Sequence, residues 1–317
     1  IIKGCINAAS QMDLKITLVG REDVITKELD YLGASRDIFD IVHAEDVIAA
    51  DEAPVMAIRR KKQSSMVKGL EMVREDPNRV FVSAGSTGAL MAGGLLKVGR
   101  LKGIDRPALA PLIPTRKLPV LLIDAGANAD CKPENLVQFA IMGSVYMEKV
   151  MGKSKPTVAL LNIGSEKGKG NNLSKEAYTL LEQSNLNFIG NIEGRDLPAG
   201  VADVIVTDGF AGNIALKLTE GMASSIFTLL KEELMKNFKS KIGAAILKPQ
   251  FKNLKSRLDY REYGGAPLLG IKKPVVKAHG SSDAYAIKNG IKQLVKFVEN
   301  DVIKIIEENI HIENNND

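Results

Sequence analysis

Hydrophobic positions along this chain fall into short, dense runs. Each run is rich in β-branched residues, closes on a glycine-containing turn, and is followed by apolar residues at helical spacing. The instances are VFVSAGSTGALMAGGLL at 80–96, VLLIDAGANADCKPENLVQFAIMG at 120–143, TVALLNIGSEKGKGNNLSKEAYTLL at 157–181, ADVIVTDGFAGNIALKLTEGM at 202–222 and VVKAHGSSDAYAIKNGI at 275–291. KITLVG at 15–20 and NFIG at 187–190 add two more strands. Strands alternating with helices imply βαβ units. The pattern therefore predicts an α/β fold built on a doubly wound, mostly parallel sheet, with helices on both faces and right-handed crossovers. Residues 1–10 read as the body of a helix. A helix that opens an α/β chain usually follows a strand, so a strand and its loop are expected ahead of residue 1.

Beyond residue 222 the pattern changes. SSIFTLLKEELMKNFKSK at 224–241 reads as one long helix, IGAAIL at 242–247 as an apolar tip, and 248–260, entered through Pro249, as a second amphipathic helix. Together they predict a helical hairpin over 224–262 that projects from the sheet domain. A C-terminal helix is expected over 281–308, broken near Gly290, with a polar tail at 311–317 that frays. No linker and no repeat of fixed period divides the chain. Its 317 residues are therefore read as a single large α/β domain carrying that hairpin.

Composition narrows the partners. With 45% hydrophobic and 26% charged residues the chain is not disordered. Aromatics at 5% and the absence of Trp argue against reading nucleic acid by base stacking, and no nucleic-acid partner is expected. The net charge of +5 is unevenly spread: residues 238–280 hold ten Lys or Arg against two acids, which leaves the rest of the chain net acidic. That segment is either a solvated basic face or an attractor of anionic partners. Cys5 and Cys131 make no pairing pattern and no export signal is visible, so the cytoplasm is the expected compartment.

The glycine turns are where chemistry is expected. A turn between strand and helix aims backbone N–H groups at whatever lies before the helix, a setting that favours anions. Ligands in open α/β sheets sit beyond the carboxyl ends of the strands. Five such turns on one sheet would gather around one anionic ligand. No G-x-x-x-x-G-K-[ST] or G-x-G-x-x-G occurs, and no G-x-S-x-G elbow occurs. His43, His279 and His311 have no companions at ligand spacing, so no metal is implied. His279, in the KAHGSSDA turn, is the one histidine well placed for a site. Cys131 sits at a helix start, where its pKa would fall, yet a buried structural thiol is the commoner use. Lys167 and Lys169 lie in GSEKGKGNN, where Gly168 and Gly170 permit close backbone approach; Lys169 is either a surface lysine or a point charge for a phosphate. The run Arg59-Arg60-Lys61-Lys62 is either a solvated face that opens a helix or an anion clamp.

IRRKKQSSM (58–66), SAGSTGALMA (83–92), GIDRPALAP (103–111), DAGANADCKPENLVQFAIMGSVY (124–146), LLNIGSEKGKGN (160–171), NIEGRD (191–196), VTDGFAGN (206–213) and AHGSSDA (278–284) together resemble the bacterial phosphate acyltransferase family of phospholipid synthesis. The resemblance runs from about residue 1 to 300. It implies a fold similar to isocitrate and isopropylmalate dehydrogenases and to phosphotransacetylases. It implies transfer of a long-chain acyl group from acyl carrier protein to inorganic phosphate, with the acyl phosphate passed to a membrane glycerol-3-phosphate acyltransferase. It also implies a homodimer in peripheral contact with the membrane, and no cofactor. The family opens with a strand ending in an Asp-Ala-Met-Gly-Gly-Asp type loop, and the resemblance implies the same strand and loop ahead of residue 1. Carried onto this chain, Ser83, Gly85, Ser86, Thr87 and Gly88 with Asp208, Gly209, Gly212 and Asn213 are expected to contact phosphate and oxyanion. Lys169 would stabilise charge, and Asn128 and His279 would orient or donate hydrogen bonds. Arg59, Arg60, Lys61 and Lys62 would clamp the carrier or another anion, and Ile242, Ala245, Ile246 and Leu247 would form a membrane tip. The alternatives are a phosphotransacetylase acting on acetyl-CoA, a nicotinamide-dependent decarboxylating dehydrogenase, and a non-catalytic scaffold that docks carrier protein at the membrane.

Overall fold

The computed structural model describes residues 1–314. Helix α1 (Ile2–Ala9) leads to strand β1 (Ile16–Gly20), helix α2 (Glu22–Tyr31) and strand β2 (Phe39–His43). Helices α3 (Pro54–Arg60) and α4 (Ser65–Glu75) precede β3 (Phe81–Ser83) and α5 (Thr87–Gly93). Short strands β4 (Ala108–Leu109), β5 (Leu112–Ile113) and β6 (Val120–Ile123) then enter α6 (Pro133–Lys149). Next come β7 (Thr157–Asn162), α7 (Asn172–Gln183), β8 (Asn187–Glu193) and β9 (Val204–Val206). The chain closes with α8 (Gly209–Leu234), α9 (Phe238–Ile246), α10 (Lys248–Arg257), β10 (Ala266–Leu269), β11 (Val275–Lys277), α11 (Ala284–Glu299) and α12 (Val302–Asn314).

The α/β class and the mostly parallel pairing hold, but the strands form three sheets rather than one. These are β1-β2, then β3-β11-β10-β4, then β5-β6-β9-β7-β8. β10 runs antiparallel to both neighbours, and β5 runs antiparallel to β6. The glycine turns after β3 and β11 thus leave one sheet, and those after β6, β7 and β9 leave another. Within each sheet the register brings turns together. Lys277 pairs with Ser83 across parallel β11 and β3, and Ile123 pairs with Val206 across parallel β6 and β9.

The core follows from sequence runs that are apolar on both faces, as a sheet covered on both sides requires. β6 and β9 are buried throughout. Helix α6 is buried through Phe139, Met142 and Tyr146, which pack with Leu121, Val158 and Val204 on one side and Ile306 of α12 on the other. Truncating Phe139 to Ala would cost about 3–5 kcal/mol by the usual cavity scale. A second cluster joins Leu268 and Val275 to Leu70 of α4 and Leu90 of α5.

Two helix expectations are corrected. The helix read at 224–241 begins fifteen residues earlier, at Gly209, and stops at Leu234. Asn237 ends the read-through because its side chain accepts from Ser240 N–H at 2.9 Å and opens α9. The apolar tip is accordingly helical, with Leu247 joining α9 to α10. At the C-terminus the break lies at Asn300–Asp301, where Asp301 takes a positive φ of 48°. Gly290 is internal to α11. It is glycine because the backbone of Gly264 passes there, and a β-carbon would meet Gly264 O at 2.8 Å. The tail expected to fray is helical as far as Asn314, and 315–317 lie outside the described residues.

Candidate active site

A cleft of about 1290 Å³ opens between the two larger sheets. Thr87, Lys277 and His279 line it from one sheet, and Ala125, Gly126 and Asn213 from the other. Its long wall is apolar, with Leu109, Pro111, Leu112, Ile113 and Pro114 facing Leu216, Met222, Ile226 and Phe227 of α8.

Local sequence explains each polar edge. Ser83 ends β3 and its Oγ accepts from Gly85 N–H at 3.2 Å, which folds the turn back. Ser86 caps α5 by accepting from Ala89 N–H at 3.4 Å. The amides of Thr87 and Gly88 are left with no hydrogen-bond partner among the described residues, as the first turn of a helix requires. The 278–283 turn folds beside this one, tied by Ala278 N–H to Ser83 O at 2.9 Å. There His279 Nδ1 accepts from Ser281 N–H at 3.2 Å and lies 2.7 Å from Ser281 Oγ. An accepting Nδ1 puts the proton of neutral imidazole on Nε2, a donor suited to an oxyanion.

On the opposite sheet the organising group is Asp124, which the sequence reading did not single out. It is fully buried at the end of β6. Its carboxylate accepts from Leu109 N–H at 3.0 Å, Ala127 N–H at 3.0 Å, Asn128 N–H at 2.7 Å and Asn128 Nδ2 at 2.9 Å. Burial pushes its pKa above the usual carboxylate range, and these donors pull it back. Asn128 is thereby fixed, with Nδ2 also reaching Pro107 O at 2.8 Å. Gly209 and Gly212 are glycine because the 124–128 turn lies against the start of α8. A β-carbon on Gly212 would fall 1.9 Å from Asp124 O, and one on Gly209 2.6 Å from Asn128 O.

The start of α8 is internally occupied. Asp208 accepts from Ala211 N–H at 2.7 Å, and Gly209 N–H donates to Asn128 O at 2.8 Å. Asn213 lines the cleft, whereas Asp208 caps the helix. Cys131 has its thiol pushed up to about 11 by burial and by Asp124, the reverse of the helix-start effect expected for a nucleophile.

Other expected residues stand apart from the cleft lining. Lys169 is exposed on the turn after β7, its ammonium 4.0 Å from Glu166. Lys167 is committed to Glu182 and lies 5.4 Å from the Tyr178 ring centre. Arg59 and Arg60 close α3 rather than opening a helix, in the last turn where the dipole favours cations. Lys61 binds Glu52 and Val47 O, both at 2.7 Å, and exposed Lys62 follows it. Ile242, Ala245, Ile246 and Leu247 are all exposed on α9 and its junction with α10. Among the described residues no helix is long and apolar enough to cross a membrane, and no group of three or more His, Cys, Asp or Glu could hold a metal. The reading missed Asp124 and Lys277, although both carry one signal: a charge that ends an otherwise apolar strand, after VLLI and after VV.

A model of the fatty acid synthesis protein family matches residues 1–305. The phosphate acyltransferase of Clostridium tetani (strain Massachusetts / E88) is 51% identical over 311 residues, spanning 98% of this chain and 93% of that protein. The phosphate acyltransferase of Alkaliphilus oremlandii (strain OhILAs) is 53% identical over 309 residues, 98% of this chain and 92% of that one. Among solved structures, the EutD phosphotransacetylase from Staphylococcus aureus matches with a TM-score of 0.59 at 15% identity, over 93% of this chain and 90% of that chain. A phosphotransacetylase from Streptococcus pyogenes matches with a TM-score of 0.59 at 18% identity, over 93% and 91%. These two share the fold. The sequence matches go further, and the chain belongs to the phosphate acyltransferase family of fatty acid synthesis proteins and is a transferase enzyme.

Proposed function

We propose that the cleft transfers a long-chain acyl group from the thioester of acyl carrier protein to inorganic phosphate. An oxygen of hydrogen phosphate attacks the thioester carbonyl carbon, the C–O bond forms and the C–S bond breaks. The sulfur leaves as thiolate and takes up the proton that phosphate gives up, so the products are acyl phosphate and the free carrier thiol. Phosphate is already a nucleophile, so position and charge carry the reaction without a covalent enzyme intermediate. The observation that carries this reading is one cleft with two characters. Thr87, Asn213 and the His279 turn line it together with an apolar wall from Pro111 to Pro114 and residues of α8.

That wall favours a long chain over an acetyl group, because each buried methylene contributes about 0.8 kcal/mol. Lys169 lies on the turn after β7, the strand beside β9, and is the lysine proposed to stabilise charge on the reacting groups. The basic segment 238–280 suits an acidic carrier, and exposed Ile246 and Leu247 suit an interfacial contact with anionic lipid. Ile214, Leu218, Met222, Ile226 and Leu229 form one exposed apolar stripe along α8, which supports a homodimer covering it. The test is phosphate-dependent loss of thioester from palmitoyl carrier protein against acetyl-CoA. Loss with the long-chain donor alone is expected. Loss without phosphate, preference for acetyl-CoA, or a trapped acyl–enzyme adduct would refute the proposal.

A further inference from the structure

Charge in the cleft is unbalanced in a specific way. Six basic side chains line it, Arg116, Lys217, Lys231, Lys255, Arg261 and Lys277, against three acidic ones. The acids are already engaged. Glu220 receives Lys217 at 2.9 Å, while Asp259 and Asp283 both receive Arg261, at 2.8 Å and 2.6 Å. Lys277 is half-buried, and among the described residues its ammonium donates to the Ala278 carbonyl and meets no carboxylate. Burial and the nearby Lys217 both lower its pKa. A desolvated cation with no counter-ion is costly unless an anion completes it.

Its place in the sheet says which anion. Lys277 ends β11 with Ser83 as its parallel partner on one side and Ala266 on the other. Register partners project from the same face of a sheet. Lys277 therefore stands on the same face as Ser83, and it shares the cleft with Thr87, Asn213 and His279. A lysine point charge beside hydroxyl, amide and imidazole side chains matches a phosphate dianion.

We propose that Lys277 is the cation that holds the phosphate nucleophile in the cleft. The inference rests on the acyl-transfer reading above and adds to it a residue at the strand end that enters the 278–283 turn. The same phosphate chemistry could come from free phosphate or from a phosphate ester on the donor's thiol arm, and the assignment here is to free phosphate.

The experiment measures binding of inorganic phosphate to the intact protein by calorimetry, with no acyl donor present, for wild type, Lys277→Met and Lys277→Arg. KM for phosphate and for donor is measured in parallel. Methionine keeps an apolar stem of similar length and leaves no buried charge, so the variant should fold with an unchanged melting midpoint. The expected result is phosphate affinity weakened tenfold or more in Lys277→Met, partial recovery in Lys277→Arg, and an unchanged KM for donor. If wild type binds phosphate and Lys277→Met binds it equally, the assignment is overturned while the acyl-transfer reading stands. A rise in donor KM with phosphate binding unchanged also overturns it, since the lysine would then serve the donor. Wild type that neither binds phosphate nor shows phosphate-dependent thioester loss would instead overturn the acyl-transfer reading itself.

Discussion

Asp124→Asn is the sharpest perturbation this structure offers, because it changes hydrogen-bond polarity with almost no change in shape. Oδ1 accepts from Leu109 N–H and Ala127 N–H, each at 3.0 Å. Oδ2 accepts from Asn128 N–H at 2.7 Å and Asn128 Nδ2 at 2.9 Å, with Ala127 N–H at 3.1 Å shared between the two oxygens. An asparagine keeps one accepting oxygen. Whichever way its amide turns, an NH2 group faces donors, and at least one buried N–H loses its acceptor outright. Each unsatisfied buried donor costs about 1–3 kcal/mol, and a donor facing a donor adds to that. With two donors affected the expected destabilisation is about 2–5 kcal/mol. The relieved desolvation of a buried carboxylate offsets part of it. The 124–128 turn, whose Ala125 and Gly126 line the cleft, would also lose its hold, so turnover should fall by about 10²-fold even where the variant is folded, the scale of a misplaced reacting group. Urea unfolding followed by tryptophan-free far-UV circular dichroism gives the stability, and phosphate-dependent acyl phosphate formation gives the turnover. A variant within about 1 kcal/mol of wild type would refute the idea that this carboxylate ties the two sheets together at the cleft.

Three further outcomes are expected. Lys169→Ala should lower acyl phosphate formation by about 10²-fold if its turn delivers charge to the reacting phosphate, and an unchanged kcat would remove Lys169 from the site. Ile214→Asp with Leu229→Asp places charge on the exposed stripe of α8 outside the cleft lining and should shift sedimentation toward monomer, and an unchanged sedimentation coefficient would show that the stripe is not the subunit contact. Ile246→Asp with Leu247→Asp should abolish flotation with vesicles of anionic lipid while leaving solution turnover intact, and undiminished flotation would reject insertion of that tip.

What the sequence by itself determined was local. Apolar runs such as VLLI and VIV, glycine-marked turns and side-chain caps such as Ser86 and Asp208 specify strands, turns and helix starts, because each depends on residues within one or two turns of chain. The same locality made the motifs legible, and with them the family. Only the tertiary structure decided which turns meet. Periodicity identifies a strand but not its neighbour, so nothing in the pattern separated one sheet from three or marked β10 as antiparallel. Asp124 acquires its role because Leu109 arrives from a different sheet, and Lys277 because Ser83, nearly two hundred residues earlier, becomes its strand partner. Helix 209–234 was read as two pieces, its first residues as a turn, because glycines 209 and 212 mark turns in sequence, while in space they are the clearance that lets the 124–128 turn lie against the helix. Short-range pattern encodes conformation, whereas the pairing of distant charges and amides around a ligand is fixed only when the sheets close on one another.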